Sequence, residues 1–259
     1  MDTGFFASGE RASPWPTRSP VGPTLRNRMP ITEDAVALSE VSLFSGLTPT
    51  QLGWVRQRVH LRTFATGTTI MTAEQPGEVV YFILRGTVKI HIEQKDGMDV
   101  ILAILGPGDT VGEMSLLDSV GRSASAITLE DTTILWMDNA TFREMLQSIP
   151  SVTLSLTRVL ANRVRLANEQ IQSLANLDVY GRVARQLLAF ADKYGQEHIE
   201  GEVHIPLRLT QTDLADLVGA SRKRVNQVVV SFKKQGLISI DGDYHVTVHK
   251  REPLARFCK

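Results

Sequence analysis

The sequence predicts an α+β fold: an N-terminal barrel of short strands, a long helix, and a C-terminal helical unit that ends in a hairpin. Two changes in hydrophobic periodicity predict this order. Over residues 59–137 apolar and polar residues alternate between Gly- and Pro-containing turns, as in a β-roll or jelly-roll barrel. After Asn139 the apolar residues recur at helical spacing, with one long helix over 151–176. A chain of 259 residues is long enough for two domains that each have a core, and a single domain is less expected.

Four apolar runs give the barrel its predicted strands, and glycine-containing turns separate them. The runs begin at Val59, Val79, Thr87 and Val100. The predicted turns are Thr66-Gly67, Pro76-Gly77, Arg85-Gly86 and Asp96-Gly97. Before the barrel we expect helices over 33–38 and 49–58, the second capped by Thr48 with Pro49 at its first position.

The predicted domain order starts with a disordered tail. Residues 1–30 contain prolines at 14, 16, 20, 23 and 30 and have no apolar period, so we expect disorder. Met29 could be the true start, in which case the first 28 residues are either a tail or no part of the protein. The barrel domain is expected over 31–148, the long helix over 149–177 and the C-terminal domain over 178–259.

Charge is distributed unevenly along the chain. The 28 Lys and Arg residues balance the 28 Asp and Glu residues, so the total charge points to no class of partner. Residues 180–259, however, hold thirteen basic and nine acidic side chains, whereas residues 31–179 hold eleven basic and seventeen acidic ones. A basic C-terminal part behind an acidic middle part predicts that an anionic macromolecule binds at one end.

Composition excludes several classes of site. Cys258 is the single cysteine, which excludes a disulfide framework, a cysteine-ligated iron–sulfur cluster and a Cys₄ zinc site. No apolar run approaches the ~18 residues that span a bilayer, so we expect a cytoplasmic protein with no membrane contact. His60 and His91 lie on predicted strands, where packed or surface histidines are commoner than metal ligands. Without a plausible nucleophile–base pair, we expect neither a catalytic site nor a metal site, and no enzyme activity.

Glycines shape the segment 106–126. Gly106 and Gly108 permit a tight turn that a residue with a side chain would resist. Gly112 then precedes a short apolar helical turn over 114–117, whose free backbone N–H groups would face an anion. The segment therefore predicts an anion site between two strands.

Two charged side chains in this segment extend the prediction. Glu113 can accept hydrogen bonds from sugar hydroxyls, and nine residues later Arg122 supplies a planar five-donor group suited to phosphate. The Ser123 hydroxyl lies beside it. Together they predict a sugar-phosphate site; the alternative is a β-turn with a surface Arg–Glu pair, which is common in β-proteins.

Residues 206–232 predict a helix-turn-helix. Thr210 with Asp213 three residues later caps a short helix, and Gly219 ends that helix in the left-handed conformation. Ser221 caps a second helix, which in this motif enters the major groove of DNA. A hairpin through Asp241-Gly242 then predicts a wing.

The second helix carries the candidate DNA contacts. The basic residues of its first turn are candidates for contacts with DNA phosphates and bases, although a run of charged residues at a helix start is usually only a solvent-exposed surface. Asn and Gln suit adenine, and Arg suits guanine. The predicted DNA-binding residues are Thr210, Ser221, Arg222, Lys223, Arg224, Asn226 and Gln227.

The long helix has an apolar seam at alternating spacings of four and three residues. The seam comprises Leu160, Val164, Ala167, Ile171 and Leu174. Packing on its own barrel is the simpler explanation, but Leu156, Val159 and Leu166 make the opposite side apolar as well. We therefore expect a helix that packs on its barrel and pairs with a second subunit.

Together these motifs resemble the cyclic-AMP receptor protein/FNR family of bacterial transcription regulators over about residues 38–250. The resemblance implies a cyclic-nucleotide-binding β-roll, a dimerisation helix and a winged helix-turn-helix. It also implies that Glu113 holds the ribose 2′-hydroxyl, that Arg122 pairs with the cyclic phosphate and that Arg163 braces Glu113. The implied ligand-binding residues are Gly112, Glu113, Met114, Ser115, Arg122, Ser123, Arg163, Ala167 and Asn168.

Two departures from the family pattern bear on specificity. Where the family's cyclic-AMP sensors carry a Thr-Ser pair that contacts adenine, this chain has Ala167 and Asn168, and alanine cannot hydrogen-bond. Of the Arg-Glu…Arg triplet that reads the best-known half-site, only Arg222 remains, since Lys223 and Gln227 take the other two places. We therefore expect a different operator.

The resemblance implies a homodimer through the 151–176 helix that binds double-stranded DNA and RNA polymerase under control of a cyclic nucleotide. Cyclic AMP is the favoured effector, with cyclic GMP or cyclic di-GMP as alternatives. A second possibility is a regulator that needs no ligand and keeps a vestigial pocket. A third, remote one is a regulatory cyclic-nucleotide subunit of an enzyme, for which the sequence shows no attached catalytic motif.

Overall fold

The computed structural model describes residues 38–93, 99–118, 120–198 and 201–258. The expected N-terminal tail, almost all of the helix expected over 33–38 and the turn expected at 96–97 lie outside these residues. Within them, strands precede a long helix and a helical domain with its own small sheet, which confirms the α+β prediction.

Two four-stranded antiparallel sheets form the N-terminal β-roll. One has the strand order β1-β8-β3-β6 and the other β2-β7-β4-β5. The eight strands are β1 His60–Phe64, β2 Thr69–Met71, β3 Val79–Arg85, β4 Val88–Glu93, β5 Asp99–Leu105, β6 Thr110–Val111, β7 Ser125–Thr128 and β8 Thr132–Asp138. Gly67 and Gly86 take positive φ of 75° and 92° at two of the predicted turns.

Short helices flank the roll and close its core. A 3₁₀ turn, Ser42–Phe44, and helix α1, Pro49–Arg56, precede it, and Thr48 forms a reciprocal capping box with Gln51. A short helix α2, Met114–Asp118, lies between β6 and β7. After β8 comes α3, Asn139–Ser148. Asp138 caps it by accepting from the Thr141 amide at 2.9 Å.

Helix α4, Pro150–Asn176, divides into two halves with different surroundings. Val152 and Leu156 are buried in the roll's core. Further along, the seam turns away from the roll, and Ile171 is 65 % exposed. Leu166, on the opposite side, is 39 % exposed.

Within its described residues, the C-terminal domain has four α-helices and a four-stranded sheet. The helices are α5 Val179–Tyr194, α6 Gln211–Leu217, α7 Arg222–Lys234 and α8 Arg251–Ala255. Its strands are β9 Gln196–Glu197, β10 Val203–Ile205, β11 Ile238–Ile240 and β12 Val246–Val248, in the order β11-β12-β10-β9. Sequence reasoning found the β11–β12 hairpin but did not identify β9 and β10, since each is too short to show alternation.

The wing turn differs in detail from the prediction. The residue with positive φ is Tyr244, at 67°, and not Gly242. Asp241 organises the turn by accepting from the Asp243 and His245 amides at 3.0 and 2.8 Å. The side-chain hydrogen bonds of Asp241 therefore shape the hairpin, which the Asp-Gly pair alone did not reveal.

The core of the C-terminal domain extends into the roll. Ile101 and Ile104 on β5, with Leu129, belong to the same buried cluster as the helix-turn-helix core. The two domains therefore share buried apolar contacts on this face of the roll. The predicted domain boundaries stay predictions. Helix α4 ends at Asn176 and helix α5 begins at Val179, so residues 177–178 separate the two helices.

None of the helices within the described ranges is long and apolar enough to cross a membrane. Over the same ranges, no three His, Cys, Asp or Glu side chains are grouped so that they could hold a metal ion.

Candidate functional site

Strand β6 and helix α2 position the predicted phosphate cassette, which we define as residues 106–123. Gly108 and Gly112 have φ of 87° and 86°, which favours glycine at both positions. Gly112 has a second constraint, since a Cβ there would lie 2.4 Å from Arg122 Nη1. The turn and the arginine are thus fitted to each other.

Gly106 has a different role from the predicted one. It is absent from the positive-φ glycines, so the turn does not require glycine there on backbone grounds. A Cβ at Gly106 would instead lie 2.4 Å from Leu207 Cδ2 and 3.2 Å from Tyr194 Cε1, both in the C-terminal domain. The turn prediction is confirmed for Gly108 and was wrong for Gly106, because distant contacts leave no local signal.

The two carboxylate oxygens of Glu113 have different environments. Glu113 is fully buried, and its Oε1 accepts from Arg163 Nη1 at 2.5 Å. Its Oε2 is buried without a hydrogen-bond partner among the described residues. A buried acceptor without a partner is costly, so Oε2 is suited to a ligand donor such as a sugar hydroxyl.

Arg163 joins helix α4 to the cassette. Besides Glu113, it donates from Nη2 to the Thr110 carbonyl at 2.5 Å. This planar two-point contact matches the bracing role that the resemblance implied for Arg163. Sequence reasoning missed the Thr110 carbonyl, because a backbone acceptor leaves no side-chain signal.

The Arg122 guanidinium lies inside the cassette rather than at its surface. It is 6 % exposed and donates from Nη1 to the Gly112 carbonyl at 2.6 Å and to Ser115 Oγ at 2.9 Å. Its Nη2 donates to the Val79 carbonyl at 2.6 Å. Burial lowers the pKa of Arg122 from its usual value, while Tyr81 and Glu113 nearby act to raise it. A phosphate would have to compete with these protein acceptors.

A cavity of about 290 Å³ opens beside Arg122. Met114, 45 % exposed, and Val120, 66 % exposed, give its mouth an apolar character. Among the described residues its lining consists of Glu74, Met114, Ser115, Asp118, Val120, Gly121, Arg122 and Ser123. Sequence reasoning missed Glu74, which reaches the cassette because its amide donates to the Arg122 carbonyl at 2.8 Å. The structure thus brings Met114, Ser115, Arg122 and Ser123 together at one opening.

The proposed base contacts lie apart from this opening. Ala167 and Asn168 are exposed on α4, and neither is among the described residues that line the cavity. Gln170, two residues further along, donates to the Leu217 carbonyl at the end of α6 at 2.9 Å. This part of α4 therefore contacts the helix-turn-helix directly.

Helices α6 and α7 form the predicted helix-turn-helix. The Thr210–Asp213 capping box, the left-handed Gly219 with φ of 60° and the Ser221 cap are all present. Val225 and Phe232 are buried in the domain core. The basic first turn of α7 and the two predicted base readers are exposed on the opposite side: Arg222, Lys223, Arg224, Asn226 and Gln227.

Two of these exposed residues interact with each other. Arg224 Nη1 donates to Gln227 Oε1 at 3.2 Å, and the Arg224 guanidinium lies 5.9 Å from the Tyr180 ring centre. Arg224 is thus held along the helix, whereas Arg222 and Lys223 extend from its first turn. The surface suits a major-groove contact of the kind predicted.

Comparisons with known proteins agree with this geometry. The family model of the cyclic nucleotide-binding domain matches residues 61–149, and that of the Crp-like helix-turn-helix domain matches residues 181–257. The CRP-like cAMP-activated global transcriptional regulator of Mycobacterium tuberculosis is 35 % identical over 219 residues, which cover 85 % of this chain and 97 % of that protein. The cAMP-activated global transcriptional regulator Vfr of Pseudomonas aeruginosa is 32 % identical over 188 residues, covering 71 % and 86 %.

A solved structure shows the same fold. FixK2 from Bradyrhizobium japonicum matches with a TM-score of 0.67 at 21 % identity, over 78 % of this chain and 98 % of that one. The roll, the long helix and the C-terminal domain therefore follow an established order. The chain belongs to the CRP-like family of transcription regulators, which join a cyclic nucleotide-binding domain to a Crp-like helix-turn-helix domain.

Proposed function

We propose that this chain is a homodimeric, sequence-specific DNA-binding regulator whose DNA affinity is controlled by a cyclic nucleotide bound at residues 112–123. Double-stranded DNA and RNA polymerase are its proposed macromolecular partners, and the cytoplasm is its proposed location. It carries out no catalysis in this proposal. The observation that carries nucleotide control is the buried Glu113 Oε2, which has no hydrogen-bond partner among the described residues, next to Oε1, which accepts from Arg163.

The phosphate would be held by Arg122 with help from Ser115 and Ser123. Ser115 Oγ already accepts from Arg122, so a phosphate oxygen arriving there would exchange one charge-assisted hydrogen bond for another. Such bonds contribute about 1.5–3 kcal/mol each. Binding therefore depends on how well the ligand replaces the Gly112 and Ser115 contacts of Arg122.

Cyclic AMP is the favoured effector. The Mycobacterium tuberculosis and Pseudomonas aeruginosa relatives are both named as cAMP-activated, and the first is covered over 97 % of its length. Asn168 can donate to and accept from a base, but Ala167 cannot hydrogen-bond at all. Cyclic GMP and cyclic di-GMP therefore remain the alternatives to test.

The signal would pass along α4 to the DNA-binding domain. Arg163 joins the cassette to this helix, and Gln170 joins the helix to Leu217 beside the helix-turn-helix. Residues 177–178, which separate helices α4 and α5, provide a hinge for the C-terminal domain. In a dimer the two recognition helices must match half-sites about 34 Å apart. A ligand shifts this spacing only by its differential affinity for the two arrangements.

The test is a titration of the full-length protein with cyclic AMP, cyclic GMP and cyclic di-GMP by calorimetry, repeated with operator DNA followed by fluorescence anisotropy. One nucleotide should release or absorb heat and raise DNA affinity. Arg122→Lys keeps the charge but loses the planar fork, so nucleotide affinity should fall about tenfold or more. Arg85→Lys, on an exposed arginine of the same roll, is the matched control.

The outcomes separate the alternatives. Binding of one nucleotide that weakens about tenfold or more in Arg122→Lys, and not in Arg85→Lys, supports the cassette. DNA binding that no nucleotide alters, with no heat from any of the three, would favour a ligand-independent regulator with a vestigial pocket. Nucleotide binding without any salt-dependent DNA binding would contradict the regulator proposal.

A further inference from the structure

A second set of contacts links the cassette to the DNA-binding domain without passing through α4. We call it the interdomain junction and define it by Gly106, Asp109, Lys193, Tyr194 and Leu207. The first two residues belong to the turn between β5 and β6, and the other three to the C-terminal domain. Within the junction, Asp109 lies three residues before Gly112, at the other end of the short strand β6.

Asp109 is the centre of the junction. Its carboxylate is 8 % exposed and accepts from Lys193 Nζ at 2.7 Å and from the Tyr194 hydroxyl at 2.5 Å. It also accepts from the Gly106 amide at 3.1 Å, which fixes it within its own turn. A buried carboxylate with three donors is held firmly, and two of those donors come from the other domain.

Tyr194 is suited to remain a donor. Burial raises its pKa well above the usual value, and the Asp109 carboxylate raises it further, so the hydroxyl stays protonated. Arg163 approaches the junction through the Thr110 carbonyl, next to Asp109, which accepts from Arg163 Nη2 at 2.5 Å. The two links between cassette and DNA-binding domain therefore meet near Asp109.

Apolar packing and a second polar contact extend the same interface. Leu207 and Tyr194 lie so close to Gly106 that a Cβ there would overlap with them. Ile104 lies in the core cluster of the C-terminal domain. Further along, the Arg208 amide donates to Thr87 Oγ1 of the roll at 3.1 Å. The docked domain is therefore held by a continuous interface rather than by one ion pair.

While the two domains are in contact through the junction, the Arg122 guanidinium donates to acceptors of the protein itself, such as the Gly112 carbonyl. Thr110, next to Asp109 in sequence, gives its carbonyl to Arg163, which also holds Glu113. A nucleotide that engages Glu113 and draws Arg122 from the Gly112 carbonyl would therefore disturb both ends of β6. Because linkage is reciprocal, a ligand that favours the released arrangement must bind more tightly when the junction is weakened.

We propose that Asp109 is a positioning residue that holds the DNA-binding domain against its own β-roll in a low-affinity orientation, and that nucleotide binding releases this contact. This inference rests on the proposed DNA-binding function. The recognition helix stays exposed in the docked arrangement, so the junction acts by fixing the orientation of α7 and not by covering it.

The test uses three variants of the full-length protein and measures DNA affinity without nucleotide. Tyr194→Phe removes one donor to Asp109, Lys193→Met removes the charge, and Gly106→Ala wedges a methyl group against Leu207. Each should raise nucleotide-free DNA affinity at least threefold and reduce the additional gain from cyclic AMP. Hydrogen exchange should quicken at the amides of residues 104–109.

Two controls match these variants. Asp192→Asn removes a charge next to Lys193 whose partner, Arg251, belongs to the same domain. Gly53→Ala adds a methyl group to α1 where nothing lies within 4 Å. Neither should change DNA affinity or exchange at 104–109.

Unchanged or lowered nucleotide-free DNA affinity in all three junction variants would overturn the proposal, as would unchanged exchange at 104–109. The result is separable from nucleotide control. If the wild-type protein binds no nucleotide, cyclic-nucleotide control fails, while nucleotide-free DNA affinity still decides the junction. If the wild-type protein binds no DNA, the regulator proposal fails, and hydrogen exchange still decides whether the junction holds the domains together.

Discussion

At the scale of residues, the buried Glu113 carboxylate has two oxygens in different environments. One oxygen is bound by Arg163 and the other has no partner among the described residues, although the residue is fully buried. Leaving an acceptor unpaired in such a place costs about 1–3 kcal/mol. The fold tolerates that cost at the very position where the family resemblance expects a ribose hydroxyl.

Replacing Arg163 should therefore affect both stability and binding. In Arg163→Gln the buried Glu113 charge loses its cation, so we expect the free energy of unfolding to fall by about 1–3 kcal/mol and cyclic AMP affinity to fall at least tenfold. Urea denaturation and calorimetry measure the two effects. Arg165→Gln, an exposed arginine on the same helix, is the control; equal effects of both variants would contradict the bracing role.

At the scale of elements, α7 separates its two tasks by face. Val225, Val228 and Phe232 are buried against α5 and α6, while the basic first turn and the predicted base readers are exposed. The Ser221 cap sets where the helix begins, and so which side chains extend from its first turn. Specificity therefore depends on a few side chains at one helix end.

Arg222→Ala should distinguish base reading from simple charge. If Arg222 contacts a guanine, the free energy of binding to the operator becomes less favourable by about 1–3 kcal/mol, and that of binding to unrelated DNA changes less. Fluorescence anisotropy with both DNAs at several salt concentrations measures this. An equal loss for every sequence would instead make Arg222 a phosphate contact. Lys234→Ala, at the far end of α7, provides the comparison.

The sheet of the C-terminal domain contains a histidine cluster with a predicted pH effect. His204 lies 5.6 Å from the His245 ring and 5.8 Å from the His198 ring. Burial, together with these two histidines, lowers the pKa of His204 below its usual 6.5, whereas Asp241 acts to raise it. The folded state therefore favours neutral His204.

The sign of the pH dependence follows from this lowered pKa. The unfolded chain binds a proton at His204 more readily than the folded chain does. The contribution of neutral His204 to the free energy of unfolding is therefore present above about pH 6.5 and is lost as pH falls through and below that value. Urea denaturation at pH 7.5 and pH 5.5 should show this loss, and His204→Gln should reduce it. His60→Gln, on the β-roll, should not. A pH dependence that His204→Gln leaves unchanged would contradict the assignment.

At the scale of the whole molecule, the C-terminal half of α4 exposes an apolar seam that a partner helix could cover. Val164, Ile171 and Leu174 are 60 %, 65 % and 49 % exposed along one seam. Apolar residues at alternating four and three spacing are typical of a helix that pairs with another helix. A second copy of this chain is the partner that the proposed function requires.

Ile171→Asp should therefore convert a dimer into a monomer. A carboxylate on the seam would have to be desolvated in the dimer, which weakens association strongly. Sedimentation velocity measures the assembly state, and DNA affinity should fall with it. Gln172→Asp places the same charge on an adjacent, exposed position and should leave the dimer intact. A wild-type monomer at micromolar concentration would refute pairing through α4.

Local sequence signals predicted much of this architecture. Alternation, glycine turns and capping residues located β1, β3, β4, β5, α4 and the helix-turn-helix to within a few residues, because these features depend on neighbours in sequence. They failed for β9 and β10, which are too short for a period, and for the wing turn, where Asp241 and Tyr244 set the geometry.

The cassette shows the same division. By itself the sequence determined that glycines, a carboxylate and an arginine share the segment 106–123, and that a capped helix-turn-helix follows. Only the tertiary structure decided that Glu113 keeps one oxygen unpaired, that Arg122 binds backbone carbonyls and that Gly106 makes room for the other domain. Each of these depends on atoms far apart in the chain brought within a few ångströms, which no local pattern encodes.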